Sequence, residues 1–277
     1  MDREALLLRV AELTVPCTDD GARFVQTDRL ERIRAALAGS PFRCLGDLPL
    51  AAIYCHRSFQ PARPTVLVSN HIDSVYRRYF CASQGTEIKG TLDNSACNAV
   101  AVELMLADVL PVQTLVAFTG DEEEDAAGVD QTLSFLQEHQ SLFWSLEVVI
   151  VLDVTEEFYE TEHFTVENYF IERENQGSYL RFGRRREFKQ YLIDMLGRKP
   201  ALVKDSEPDE SWQYEDHDLN CFLFGLPCRL LGADMHDDDG LAVLQDSLAV
   251  YAETLVRLTH AIDRDLANRA VGRTRRR

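Results

Sequence analysis

The chain has 277 residues, a hydrophobic fraction of 45% and a net charge of −17. That length suits one large α/β domain, and that composition is of a globular core and not of a disordered segment. A charge this negative repels nucleic acid and anionic membranes, so neither is an expected partner, and bound cations would offset part of it.

The opening MDREALLLRVAEL has neither a basic start nor a long apolar stretch, so it is not a signal peptide. No uncharged apolar run reaches the ~18 residues of a membrane span. Seven cysteines stand singly (Cys17, Cys44, Cys55, Cys81, Cys97, Cys221, Cys228), without a CxxC pair. Such a set reads as reduced, buried thiols in a cytoplasmic protein.

Residues 3–13 are expected to form a helix, with Leu6, Val10 and Leu13 on one face. A second helix is expected over 21–38, followed by extended pieces at 42–46, 50–56 and 65–70. TVLVSN at 65–70 reads as a strand covered on both faces. NSACNAVAVELMLADVL at 94–110 predicts a helix capped by Asp93 or Asn94. QTLVAF at 113–118 and EVVIVL at 147–152 predict further buried strands, with a helix over 129–139 between them.

The pattern then loosens. We expect a strand at 164–171, a helix at 185–197, a polar loop at 200–213 and a last core strand at 228–231. Leu241, Leu244, Leu248, Tyr251, Leu255, Leu258 and Ile262 recur at intervals of three and four and predict the closing helix. The basic tail, residues 268–277, is expected to fray. Strands alternating with helices imply α/β architecture with a sheet covered on both faces. All of it, 1–277, reads as a single domain, with 155–210 as a candidate small insertion.

In open α/β sheets, ligands bind beyond the carboxyl ends of the strands. There, TVLVSN is followed by His71 and Asp73, QTLVAFTGD by Glu122 and Glu123, EVVIVL by Asp153, and PCRLLGADM by His236. Asp93, in GTLDNSA, opens the long helix. Imidazoles with carboxylates suit zinc, with cobalt or manganese as substitutes. Two ions would need about this many donors, with one carboxylate shared. Metal would also account for five successive acids, Asp121 to Asp125, at the end of a buried strand, because cations offset their repulsion. Each piece alone has an ordinary reading: a strand-end His is often structural, and an acid run is often a solvated loop. The conjunction carries the metal reading.

The ordered motifs SNHIDSV (69–75), GTLDNSACNAVA (90–101), FTGDEEEDAAG (118–128), VLDVT (151–155) and GADMHD (232–237) resemble those of the zinc peptidase clan with co-catalytic metals. That clan holds aminopeptidases and a carboxypeptidase and deacylase family. The resemblance runs from residue 1 to about 262. It implies a three-layer α/β/α, phosphorylase/hydrolase-like zinc exopeptidase fold with a mostly parallel mixed central sheet. It also implies two zinc ions. His71 and Asp153 would hold one, Glu123 and His236 the other, and Asp93 would bridge them. Asp73 would orient the His71 ring, and Glu122 would be the general base. Gly128 sets this register by matching a family glycine; a slip of one residue would make Glu123 the base and Glu124 the ligand.

Some residues depart from the pattern. The family's glycine in the acidic turn is Asp125 here, and its glutamate beyond the last His is Gly240. The stretch between Asp153 and His236 is too short for the long dimerisation lid of one branch together with the remaining core. No oxyanion-stabilising residue beyond the metals is assigned. Tyr179, Arg181 and Arg184 are candidate substrate contacts, as are Asp216 and His217 at the cleft, against the alternative of a solvated surface.

The resemblance implies a metal-dependent hydrolase of amide bonds, with an aminopeptidase on short peptides as the leading reading. An N-acyl amino acid deacylase would use the same chemistry, and a non-catalytic metal- or partner-binding homologue would use the same fold. A serine hydrolase lacks its GxSxG elbow. The expected partner is a small peptide or acyl-amino-acid substrate. Clan members range from monomers to large assemblies, so a homo-oligomer is compatible.

Overall fold

The computed structural model describes residues 2–16, 18–19, 24–25, 27–167, 185–203, 210–217 and 219–274. Helix α1 (Arg3–Leu13) starts where the Asp2 carboxylate accepts the Glu4 N–H at 3.0 Å, and it buries Leu6, Val10 and Leu13 as predicted. A short pair, β1 (Thr18–Asp19) and β2 (Phe24–Val25), precedes α2 (Thr27–Leu37), so the second helix starts later than residue 21. Then follow β3 (Phe42–Asp47), β4 (Ala51–His56), β5 (Thr65–His71), the hairpin β6 (Cys81–Gln84) and β7 (Glu87–Gly90), and α3 (Ser95–Leu106). Next are β8 (Thr114–Thr119), α4 (Ala127–Glu138), α5 (Gln140–Ser145), β9 (Leu146–Thr155) and β10 (Thr165–Glu167). The chain closes with α6 (Arg185–Leu196), β11 (Ala201–Val203), α7 (Ser211–Asp216), β12 (Cys221–Leu230), β13 (Leu241–Leu244) and α8 (Gln245–Thr274).

The large sheet runs β3-β4-β8-β5-β9-β12-β13-β7-β6, with β10 pairing to β12 and to β11. Its four central strands, β8, β5, β9 and β12, are mutually parallel, and antiparallel strands flank them. Successive side chains of a strand face opposite ways, so each central strand feeds two cores. Val66 and Val68 of β5 and Val116 and Phe118 of β8 join the core under α1, α2, α3 and α8. Leu67, Leu115 and Ala117 join the other, under α4, α5 and α7. This is the three-layer α/β/α arrangement the alternation implied. It explains why the central strands are apolar on both sides: truncating a fully buried residue such as Ile150 to Ala would cost about 2–5 kcal/mol.

The structure corrects several sequence expectations. The hairpin of β6 and β7 was not foreseen; it turns at Gly85, whose φ is +62°. The polar loop at 200–213 contains β11 and the start of α7. Strand β12 begins at Cys221 rather than at 228. Leu241 and Leu244 belong to β13, which pairs with both β12 and β7, so α8 starts only at Gln245. Gly240 (φ +75°) lets β13 start beside β7, since a Cβ there would lie 2.3 Å from the Gly90 carbonyl oxygen. Asn94 is at the N-cap of α3 without a capping side-chain hydrogen bond; its amide instead donates to the Leu152 carbonyl at 2.7 Å. Of the cysteines described, Cys55, Cys97, Cys221 and Cys228 are buried, Cys81 is half-buried and Cys44 is exposed. Among the described residues no helix is long and apolar enough to cross a membrane.

Candidate metal centre

Each predicted donor lies where a buried element ends. His71 is the last residue of β5, and the Asn98 amide of α3 holds its carbonyl at 2.6 Å. Asp93 immediately precedes the N-cap of α3, and Asp153 lies near the end of β9. The parallel register of β8, β5 and β9 brings these ends to one edge. His71 Nε2 is 3.2 Å from Asp93 Oδ1 and 3.3 Å from Asp153 Oδ1. On the other side of the ring, Nδ1 is 3.6 Å from Asp73 Oδ1. The second Asp73 oxygen accepts the Glu123 N–H at 3.2 Å, so one buried carboxylate stands between the β5 and β8 sides of the site.

The acidic row divides in the turn after β8. Asp121 is buried with φ +69°, and its carboxylate accepts the Ala127 N–H. Glu124 and Asp125 are exposed, whereas the Glu123 side chain is 4% exposed. Glu123 Oε2 lies 3.1 Å from His236 Nε2. Gly128 makes the tight return into α4: a Cβ there would be 2.5 Å from the Gly120 backbone.

His236 is the most exposed donor, at 55% of its side chain. Its loop is held from outside. Tyr76 donates its hydroxyl to the Met235 carbonyl at 2.7 Å, and the Arg77 N–H donates to Asp238 Oδ1 at 2.7 Å.

Donor atoms of His71, Asp93 and Asp153 lie within 4.8 Å of one another, as do those of Asp93, Glu123 and His236. Asp93 is common to both groups. A third such group is His71, Glu122 and Glu123. All seven predicted site residues are therefore brought together. Asp93 Oδ1 and Glu123 Oε1 are buried and accept no hydrogen bond, the state of a donor suited to a cation. Imidazole with carboxylate is a zinc-type set, so the residues present fit two divalent ions.

Electrostatics follow from this crowding. Burial pushes the Glu122 carboxyl well above the usual range; Asp153, Glu123 and Glu210 add to this and His71 opposes it. Burial likewise raises Glu123 and Asp153. Burial disfavours the His71 cation, but Asp153 and Glu122 outweigh it, and its pKa is well above the ordinary value. The bond to Glu123 pushes His236 up to about 9. Carboxyls raised and imidazoles raised together describe a site holding excess negative charge, which divalent cations would neutralise.

Sequence reasoning missed Glu210. It is 1% exposed, in the stretch expected to be a polar loop, and accepts hydrogen bonds from Ser69 and Thr119 at the ends of β5 and β8. Burial pushes its carboxyl up to about 7. Tyr179, Arg181 and Arg184 lie outside the described residues. Asp216 and His217 are exposed at the end of α7 and are in none of the donor groups; the His217 ring contacts the Gln213 carbonyl at 3.0 Å.

The chain matches no protein-family model and no curated protein sequence. Its fold does match solved structures. The aminopeptidase PepT from Bacillus cereus aligns with a TM-score of 0.64 at 10% identity, over 95% of this chain and 99% of that one. The TET1 peptidase of Pyrococcus horikoshii aligns at 0.64 and 10%, over 92% and 99%. A zinc aminopeptidase from Bacillus subtilis aligns at 0.50 and 14%, over 76% of this chain and 48% of that one. At such identities the likeness is one of fold: this chain has the three-layer α/β architecture of these peptidases.

Proposed function

We propose that the chain is a two-zinc aminopeptidase acting on short peptides. The observation that carries this reading is the pair of donor groups that share the buried Asp93, with Glu122 beside them. His71 and Asp153 would hold one ion and Glu123 and His236 the other, with Asp93, common to both groups, available to each. When bound, the ions would polarise the scissile carbonyl and lower the pKa of a water molecule toward ~7.

The remaining work falls to the chain. Asp73 fixes the His71 ring so that Nε2 faces the donors, the usual part of a carboxylate behind a ligating imidazole. Its second oxygen anchors the Glu123 backbone. Glu122 is adjacent to a ligand but is not needed as one, which suits the general base. It takes the proton of the attacking water and returns it to the leaving amine. Burial pushes its carboxyl well above the usual range, which makes it a stronger base than an ordinary glutamate. The likeness to PepT and the B. subtilis enzyme supports amino-terminal cleavage, and the assembly of TET1 into a tetrahedron or octahedral shell makes a homo-oligomer the natural expectation.

The test is elemental analysis after gel filtration, with turnover of peptides free or blocked at each end. About two zinc equivalents, and cleavage only when the amino terminus is free, would bear the proposal out. Turnover of N-acetyl amino acids but not of dipeptides would replace it with a deacylase. Less than about half an equivalent after reconstitution would sink it.

A further inference from the structure

Glu210 takes no part in the chemistry above, yet its carboxyl is buried against the strand ends that carry it. Ser69 donates to one of its oxygens at 3.1 Å, and Thr119 donates to the other. Tyr214 of α7 donates its hydroxyl to Ser69 Oγ at 2.9 Å, which leaves the Ser69 proton for the carboxyl. In the parallel ladder His71 pairs with Thr119, and Ser69 with Ala117. The strand period then sets Ser69, His71 and Thr119 on one face of the sheet.

The β5–β8 ladder ends at the His71–Thr119 pair. Beyond it one segment continues from β5 to Asp73 and the other from β8 to Glu122 and Glu123. The spacing of donors on the two sides therefore depends on how firmly this last pair is held. Filling the space alone would not call for an acid, because a buried carboxyl is more expensive to desolvate than an amide or apolar group of similar size. Accepting from two hydroxyls on two strands does call for one.

We propose that Glu210 is a positioning residue, a clamp between β5 and β8 that fixes the separation of His71 from the Glu122–Glu123 pair. It acts through Ser69 and Thr119. The proposal rests on the two-zinc reading, since metal ligation tolerates only about 0.2 Å of error in donor distance.

Three variants test it: Glu210→Ala, Glu210→Gln, and Thr119→Val, which removes one anchor at constant shape. Zinc affinity is read by chelator competition, kcat and KM on a peptide, and amide exchange on the metal-free protein. Glu210→Ala and Thr119→Val should weaken zinc binding about 10–100-fold and lower kcat with KM nearly unchanged. In the metal-free protein, amides of 69–72 and 119–123 should exchange about tenfold faster while those of β9 keep their protection. Glu210→Gln keeps an accepting oxygen for one of the two hydroxyls and should fall between Glu210→Ala and the wild type, whereas a residue needed only for its charge would leave Gln as impaired as Ala. Wild-type zinc affinity, kcat and exchange in Glu210→Ala would overturn the clamp. If that variant does not fold, wild-type behaviour of Thr119→Val overturns it instead. A wild-type protein that binds no zinc refutes the metal centre, and the exchange data still decide the clamp.

Discussion

Replacing Glu210 by Gln should flatten the dependence of stability on pH. Burial is the main reason this carboxyl is pushed up to about 7; His71 and the hydroxyls of Thr119 and Ser69 oppose the rise, and Asp73 adds to it. Glu122 and Tyr214 also face it, each raised in part by its charge. In the unfolded chain the group titrates near the ordinary 4.5. A folded pKa above the unfolded one means the native state binds the proton more tightly. The resulting stability is fully present below pH 4.5 and is lost as pH rises through 7. At about 1.4 kcal/mol per pH unit, the gap amounts to roughly 3 kcal/mol as an upper figure. Gln cannot titrate and keeps the acceptor for Ser69 or Thr119. The assay is urea unfolding of both metal-free proteins at pH 4.5, 6 and 8. The variant should gain on the wild type by up to roughly 3 kcal/mol across that range, a shift of several degrees in Tm. Parallel stability curves for the two proteins would refute the reasoning.

Glu122→Gln should lower kcat about 10²–10⁴-fold while close to two equivalents of zinc stay bound; loss of metal by elemental analysis would show that the split between base and ligand is wrong. In the metal-free protein the same change removes one carboxyl from a crowded site, so calorimetry should show a higher Tm. His236→Ala leaves His71, Asp93 and Asp153 in place and should reduce zinc binding toward one equivalent in a titration. Tyr76→Phe removes one bond to the loop that carries His236, so it should cost about 1 kcal/mol and weaken one zinc site more than the other, read by denaturant unfolding and competition. Activity should fall in acid as protons compete for His71 and His236, and a rate that stays flat down to about pH 4 contradicts imidazole ligation.

The sequence made the centre of the sheet legible because β5, β8 and β9 lie between two helical layers. Strands in that position must be apolar on both sides, and TVLV, TLVAF and EVVIVL are. The donors were legible for a related reason. Parallel strands put their carboxyl ends at one edge, so residues that follow apolar runs meet in space however far apart they are in the chain. The edges were harder to read. β6 and β7 are short and largely polar outward, and their pairing rests on backbone hydrogen bonds that leave little trace in hydropathy. Leu241 and Leu244 fit the helical spacing equally well, and only the open edges of β12 and β7 on either side draw them into a strand.

By itself, then, the sequence determined the α/β class, the buried parallel strands and the order of the donors, all of which follow from local hydrophobic pattern and from what stands next to it. Only the tertiary structure decided which of five consecutive acids turn inward. That depends on the left-handed backbone at Asp121 and on the contact of Gly128 with Gly120. It also decided that a glutamate in a polar stretch lies beneath the site. Its anchors, Ser69 and Thr119, are 141 and 91 residues away along the chain, and a hydrogen bond over that distance exists only once the sheet has formed.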